Sequence, residues 1–175
     1  PKLETKLYSI CTDAMRNLAE AKLIRFEDDH FSVAAQSPAY HMSRYLVRFE
    51  TMRILMSVPA TATLEDLLRF MSSSFELHTA MNRSEKKVFT SLAKTTRYKP
   101  PGAKGSIEFK TNILLQSCAL RNSSVDSSLQ AHQAECAERS IRLISCLTEI
   151  CKDSCKGQLL ESCFLLERAI RKRMW

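Results

Sequence analysis

The chain has 175 residues, 45% of them hydrophobic and 26% charged, with only three glycines and a net charge of +7. That is close to one domain on the rule of about 150 residues per domain, long enough to bury roughly 70% of its unfolded surface. The glycine shortage excludes several classes. A P-loop needs two glycines five residues apart before Lys and Ser/Thr, so that backbone N–H groups can cradle phosphates. Gly102, Gly105 and Gly157 offer no such pair, and the dinucleotide fingerprint fails for the same reason. Turn-rich sandwiches and barrels are also disfavoured, which leaves a mostly α-helical fold. No apolar run approaches the roughly 18 residues of a membrane span, and no signal peptide is visible. Pro1 in place of Met, with a helical pattern entering at once, reads as a piece of a longer chain.

In chain order, Leu3, Leu7, Ile10, Cys11, Ala14 and Leu18 recur at helical spacing. Leu23 to Phe26, the acidic Glu27-Asp28-Asp29 and Phe31-Ser32-Val33 then predict a short β-hairpin. A helix followed by a hairpin is how a winged-helix module finishes. Ser37-Pro38 is a helix start, the hydroxyl offering a cap. From there Met42, Tyr45, Leu46, Phe49, Met52 and Leu55 predict one helix running to Pro59. Thr63 to Asp66 can cap the next helix, whose apolar face is Leu64, Leu67, Leu68 and Met71. A Ser72-Ser73-Ser74 break precedes Phe75, Leu77 and Met81, and another helix is expected from about Ser84 to Leu92. Residues 96–106 hold Pro100-Pro101 and two glycines and predict a loop. Helical character resumes at Lys110. Asp126 can cap a long helix, about 127–151, carrying Leu129, Cys136, Leu143, Ile144, Leu147 and Ile150. A last helix follows Gly157 and leads to Trp175. The sum is a hairpin followed by about seven helices, with no internal repeat.

The residues form no complete active site, and no catalytic residue is assigned. Leu23 to His30 superficially resembles a strand entering an acidic metal-binding box, but Arg25 interrupts it and no P-loop accompanies it. No His-Glu-x-x-His or Gly-x-Ser-x-Gly motif occurs. The seven cysteines form no Cys-x-x-Cys pair and read as small, reduced core residues of an intracellular protein. His132 and Cys136, one helical turn apart, could make half a zinc site, but no complete metal site is assigned.

Charge is more informative. Between 83 and 110 the chain carries Arg83, Lys86, Lys87, Lys94, Arg97, Lys99, Lys104 and Lys110 against Glu85 and Glu108, a net +6 of the total +7. Such a strip, with Tyr98 inside it, suits a nucleic-acid backbone. On the long helix Arg139 and Arg142 are three apart and suited to gripping phosphates. The plainer reading pairs them with Glu135 or Glu138. Arg168, Arg171, Lys172 and Arg173 near the end of the last helix favour its macrodipole.

Three stretches carry a resemblance. Met42-Ser43-Arg44-Tyr45 with Phe49-Glu50-Thr51-Met52, then Lys110 to Gln116, then Arg171-Lys172-Arg173-Met174-Trp175 resemble, in order, the helical bundle of a group of eukaryotic superfamily 2 helicases, the Sec-sixty-three homology region. The resemblance covers about 36–175, and residues 1–35 are similar to the end of the preceding winged helix. Phe49 to Met52 together with Asn82 to Lys87 resembles most the meiotic crossover-promoting DNA helicases, ahead of the spliceosomal RNA helicase and the activating-signal-cointegrator helicase.

The resemblance implies a non-catalytic region of a nuclear, ATP-dependent, 3′-to-5′ DNA helicase of meiotic recombination. Its RecA-like motor domains, which bind ATP and Mg²⁺, lie outside this chain, and no cofactor is expected within it. The long helix would lie across the translocating single-stranded DNA as a ratchet, with Arg139 and Arg142 gripping it and Lys94, Arg97, Lys99 and Lys104 assisting. Archaeal relatives carry a base-stacking aromatic on that helix. Here it has none, and Leu147 stands in the corresponding place, which favours backbone contacts. Ala39-Tyr40 also replaces the family's usual Gly-basic pair. The alternatives are a helical protein-interaction scaffold whose loop 96–106 docks an acidic partner, and the equivalent bundle of a spliceosomal RNA helicase.

Overall fold

The computed structural model describes residues 2–27, 32–120 and 127–175, of which 127 and 128 are described as backbone only. It divides into two compact units, Pro1–Leu46 and Val47–Trp175. In the first, α1 (Lys2–Glu20) closes through Lys22, whose φ is 55°. That left-handed residue lets the Leu23 N–H reach back to the Leu18 carbonyl at 3.0 Å, a Schellman-type stop. The chain then enters β1 (Ile24–Phe26), antiparallel to β2 (Val33–Ala35), with Phe26 opposite Val33 and Ile24 opposite Ala35. The second strand lies later than the expected Phe31-Ser32-Val33, because pairing continues until the Gln36 N–H meets the Leu23 carbonyl at 2.8 Å. Asp28, Asp29 and Phe31 of the expected hairpin lie outside the described residues, as does the Asp126 cap.

The helix expected from Ser37 to Pro59 is two helices, α2 (Ser37–Arg44) and α3 (Phe49–Ser57). Periodicity missed the break because its cause is conformational. Leu46 sits at φ 51°, and the N–H groups of Tyr45 and Leu46 turn back to the carbonyls of His41 and Ser43. Ser37 is also not the cap. Gln36 occupies that position without a side-chain bond, while Pro38 fits the first turn as expected.

The second unit holds α3, α4 (Leu64–Ser72), α5 (Lys86–Leu92), α6 (Ile107–Cys118), α7 (Ser127–Asp153) and α8 (Gly157–Lys172). With α2, seven helices follow the hairpin among the described residues, as the sequence predicts. Thr63 and Asp66 form the expected capping box, and hydrogen bonds from the Thr63 hydroxyl and N–H hold the Asp66 carboxyl below its ordinary value. A single turn of 3₁₀ helix, Arg83–Glu85, precedes α5 and carries its own capping box with Asn82. Helix α7 packs along α6, α8 and α3, and α4 packs on α6 and α8. The apolar positions of α7, Leu129, Cys136, Leu143, Ile144, Leu147 and Ile150, are all buried. No described helix is long and apolar enough to cross a membrane.

Helix α6 organises this unit. Every residue from Phe109 to Cys118 is buried, so the helix faces protein on all sides and its polar groups need internal partners. Lys110 Nζ, wholly buried, donates to the Ala80 carbonyl at 2.8 Å and to Glu85 Oε2 at 2.9 Å, beside the Phe89 ring. Thr111 donates to the Leu77 carbonyl, and Asn112 Nδ2 donates to Ser72 Oγ at 2.9 Å. Gln116 clamps the Tyr98 backbone in both directions, at 2.9 and 2.8 Å. Lys110 therefore belongs to the interior, not to the basic strip with which the sequence groups it.

Burial pushes the Glu85 carboxyl up, but hydrogen bonds from Lys110 and the Asn82 N–H, with the Lys110 and His132 charges, outweigh it and leave it below its ordinary 4.5. A depressed folded-state value makes this contribution complete above the unfolded value and lost as pH falls through the folded one. Urea denaturation should therefore show stability falling as pH drops below about 4.3, with Glu85→Gln removing part of that slope. Lys110→Ala, which strands the Glu85 carboxylate, should cost about 3–5 kcal/mol. A loss below about 1 kcal/mol would be the value of an exposed pair and would contradict the buried one.

Candidate nucleic-acid interface

Seven cations of the strip, Arg83, Lys86, Lys87, Lys94, Arg97, Lys99 and Lys104, are exposed. None of them forms an ion pair among the described residues. Glu85 is turned inward onto Lys110, which leaves Glu108 as the strip's exposed carboxylate. The surface charge is therefore no weaker than the sequence suggests.

The strip is also held in place. The Gln116 clamp fixes residue 98. Arg97 lies 5.5 Å from the centre of the Tyr98 ring and 5.8 Å from that of Trp175, and these two rings meet edge-on at 6.0 Å. A guanidinium backed by aromatic faces keeps its outer donors available for a phosphate. Trp175 reaches this place because α8 closes through Arg173 at φ 49°, with the Met174 N–H bonded to the Ala169 carbonyl at 3.1 Å. The last turn before α6 bends through Gly102 (φ 77°) and Gly105 (φ 106°), and a Cβ on Gly105 would stand 3.5 Å from Lys86 Cε. The turn carrying Lys104 thus lies beside the first turn of α5.

The two arginines of α7 have different environments. Arg139 Nη1 donates to the Glu76 carbonyl at 2.9 Å, and Nη2 pairs with Glu135. The plainer reading holds for this residue, since its guanidinium ties α7 to the Phe75–Leu77 turn. Arg142 is half-buried, and its Nε is enclosed without a hydrogen-bond partner. Arg139 and the strip are anchored by different elements, Glu76 for the former and Gln116 with Trp175 for the latter. Leu147 is fully buried, so it offers no surface for a base.

Turn residue Glu76 escaped sequence reasoning. Its buried carboxylate accepts the Arg48 N–H at 2.7 Å and the Thr51 hydroxyl, and Thr51 Oγ1 in turn accepts the Phe75 N–H at 3.1 Å. A carboxylate against the start of α3 suits the helix dipole. No spacing rule could find it, because the partners are about 25 residues apart.

Among the described residues His132 and Cys136 gain no further ligand that would make a metal site. Cys118 Sγ donates to the Gln133 carbonyl at 3.4 Å. The hydrogen bond to Cys118 and burial push the Cys136 thiol well up. Among the described residues no group of three His, Cys, Asp or Glu side chains is placed to hold an ion. Gly102 does not open a phosphate cradle either. A Cβ on Gly102 would meet Ser106 Oγ at 2.6 Å, so that turn is filled by its own side chain rather than open to phosphate.

A helix, a hairpin and a short helix in the first unit, and in the second six described helices with one long packed helix and a pinned basic face, define a helical-bundle module. The Sec63 Brl domain matches residues 36–175, and the chain belongs to that family. Over 188 residues it is 27% identical to the ATP-dependent DNA helicase MER3 homolog of Oryza sativa subsp. japonica, covering 99% of this chain and 15% of the relative. It is 25% identical over 183 residues to the "Probable ATP-dependent DNA helicase HFM1" of Xenopus tropicalis, covering 99% and 13%. It is also 25% identical over 178 residues to the activating signal cointegrator 1 complex subunit 3 of Gallus gallus, covering 100% and 8%. The chain thus spans a small part of the curated relatives it matches.

The two arginines should separate by experiment. Arg139→Ala removes a hydrogen bond to a carbonyl and should lower stability by about 1 kcal/mol. Arg142→Ala should leave the melting temperature nearly unchanged, since it removes no described hydrogen bond. Equal losses in thermal melts would contradict the assignment.

Proposed function

We propose that this chain is the part of a nuclear, ATP-dependent DNA helicase that holds the translocating single strand against back-slip, working in meiotic crossover recombination with 3′-to-5′ polarity. ATP and Mg²⁺ belong to RecA-like motor domains outside this chain. The chain's own role is binding, by Arg142 and by Lys94, Arg97, Lys99 and Lys104 with the neighbouring cations of the strip. Arg139 acts as a strut that positions the face. Family membership and the MER3 and HFM1 relatives support the helicase context.

The observation that carries the binding role is the run of exposed cations between 83 and 104 that have no carboxylate partner among the described residues. An anionic polymer supplies what they lack, and release of its condensed counterions drives association. Spacing along a strip, rather than convergence in a pocket, suits a backbone more than a small ligand.

Binding of single-stranded DNA by the full-length chain should fall steeply with salt. Replacing Lys94, Arg97, Lys99 and Lys104 by Ala should reduce the slope of log K against log salt by up to about 3, at about 0.7 for each phosphate that is no longer neutralised. An unchanged slope, or an acidic peptide that displaces DNA at equal charge, would favour the protein-docking scaffold. Preference for single-stranded RNA would favour the spliceosomal alternative.

A further inference from the structure

Phe75 is an aromatic residue that nothing in the bundle's packing requires to be outside. Its side chain is 45% exposed, yet its turn is fastened at several points. The Phe75 N–H donates to Thr51 Oγ1, and the next residue, Glu76, is fastened by its carboxylate to the Arg48 N–H and Thr51 hydroxyl. The Glu76 carbonyl accepts Arg139 Nη1 from α7, and the His78 N–H returns to the Phe75 carbonyl at 3.3 Å. The imidazole of His78 supports the ring, with centroids 5.2 Å apart and planes at 43°. A single exposed apolar residue is ordinary on a protein surface. An exposed ring on a turn fixed from two helices, with arginines carried by both fastening segments, is a different arrangement. Arg48 precedes α3 and is exposed, and Arg139 reaches the turn from α7 with Arg142 one helical turn further on.

We propose that Phe75 is a stacking platform for a nucleobase of the bound single strand, with Arg48 and Arg142 taking the flanking phosphates. The assignment rests on the reading that the bundle holds a single strand, and it adds a contact to bases where that reading has only contacts to phosphates. Aromatic faces interleaved with cations are the general means of binding single strands without sequence preference, because every base has a π-face. The fixed turn matters energetically, since a ring already held in place loses little freedom when a base lands on it. Glu135 holds one arm of Arg139 away from this role.

The test uses the full-length chain and two oligodeoxynucleotides of equal length, one intact and one with abasic sites throughout. Phe75→Ala should weaken binding of the intact strand about ten-fold and leave the salt slope unchanged, because stacking releases no counterions. Binding of the abasic strand should be indifferent to the substitution. Phe75→Trp should retain affinity and show its indole fluorescence quenched by the intact strand alone. Phe75→Leu keeps apolar volume but no ring and should match Phe75→Ala, which separates stacking from any loss of folding in the smaller variant. Unchanged affinity in both ring-less variants, or an equal loss on the abasic strand, would overturn the proposal. If the ring-less variants are neutral while Arg142→Ala still lowers affinity and slope, stacking fails and the strand-holding reading stands. If no variant matters and binding ignores salt, both fail.

Discussion

Lys110 is wholly buried in the second unit, and the groups around its ammonium make that possible. Burying an ammonium is costly unless a carboxylate and further acceptors replace its hydration. Glu85 and the Ala80 carbonyl do so, next to the Phe89 ring. Both acceptors come from the segment between α4 and α5, Ala80 from irregular chain and Glu85 from the 3₁₀ turn, so the charge that must be satisfied also determines where that segment runs. The same logic repeats along α6. Asn112 holds the end of α4 through Ser72, Thr111 holds residue 77, and Gln116 holds residue 98. A helix buried on every face cannot be stabilised by an apolar stripe alone. It uses polar side chains to fasten the segments that have no ladder of their own.

The proposed binding face follows from those fastenings. With Glu85 drawn inward, the cations on either side of it lose their nearest counter-charge and remain available to solvent. With Tyr98 clamped, Arg97 is held against Tyr98 and Trp175 instead of sampling many rotamers. With Glu76 bonded to the start of α3 and to Arg139, the Phe75 turn is fixed against α7. The Arg97 side chain and the Phe75 turn thus each have an interior bond behind them. A core mutation in α6 would loosen the face without removing a single surface charge.

Much of the fold is legible in sequence because it depends on local rules. The helical periods of α1, α4, α7 and α8, the Thr63–Asp66 capping box and the Pro-Gly loop before α6 are all of this kind. What sequence misses depends on distant partners. The break between α2 and α3 follows a left-handed Leu46 and a carboxylate near residue 76, neither marked by periodicity. Lys110 counts as a member of the strip in sequence because charge is summed without regard to burial. Arg139 and Arg142 are equivalent in sequence, and only Glu76 and Glu135 distinguish the strut from the arginine without a partner among the described residues. Phe75 is one more apolar residue after a serine break, and its exposure is a property of the packed turn. The resemblance at Lys110 to Gln116 gains a physical basis, since these residues are the bundle's internal fastening.

Ultraviolet cross-linking of the full-length chain to uniformly substituted single-stranded DNA, followed by peptide mapping, tests the central claim most directly. Cross-links should fall on 75, on the 94–104 segment and near 142 of α7, and should fade with rising salt. Cross-links confined to regions outside 47–175 would contradict it.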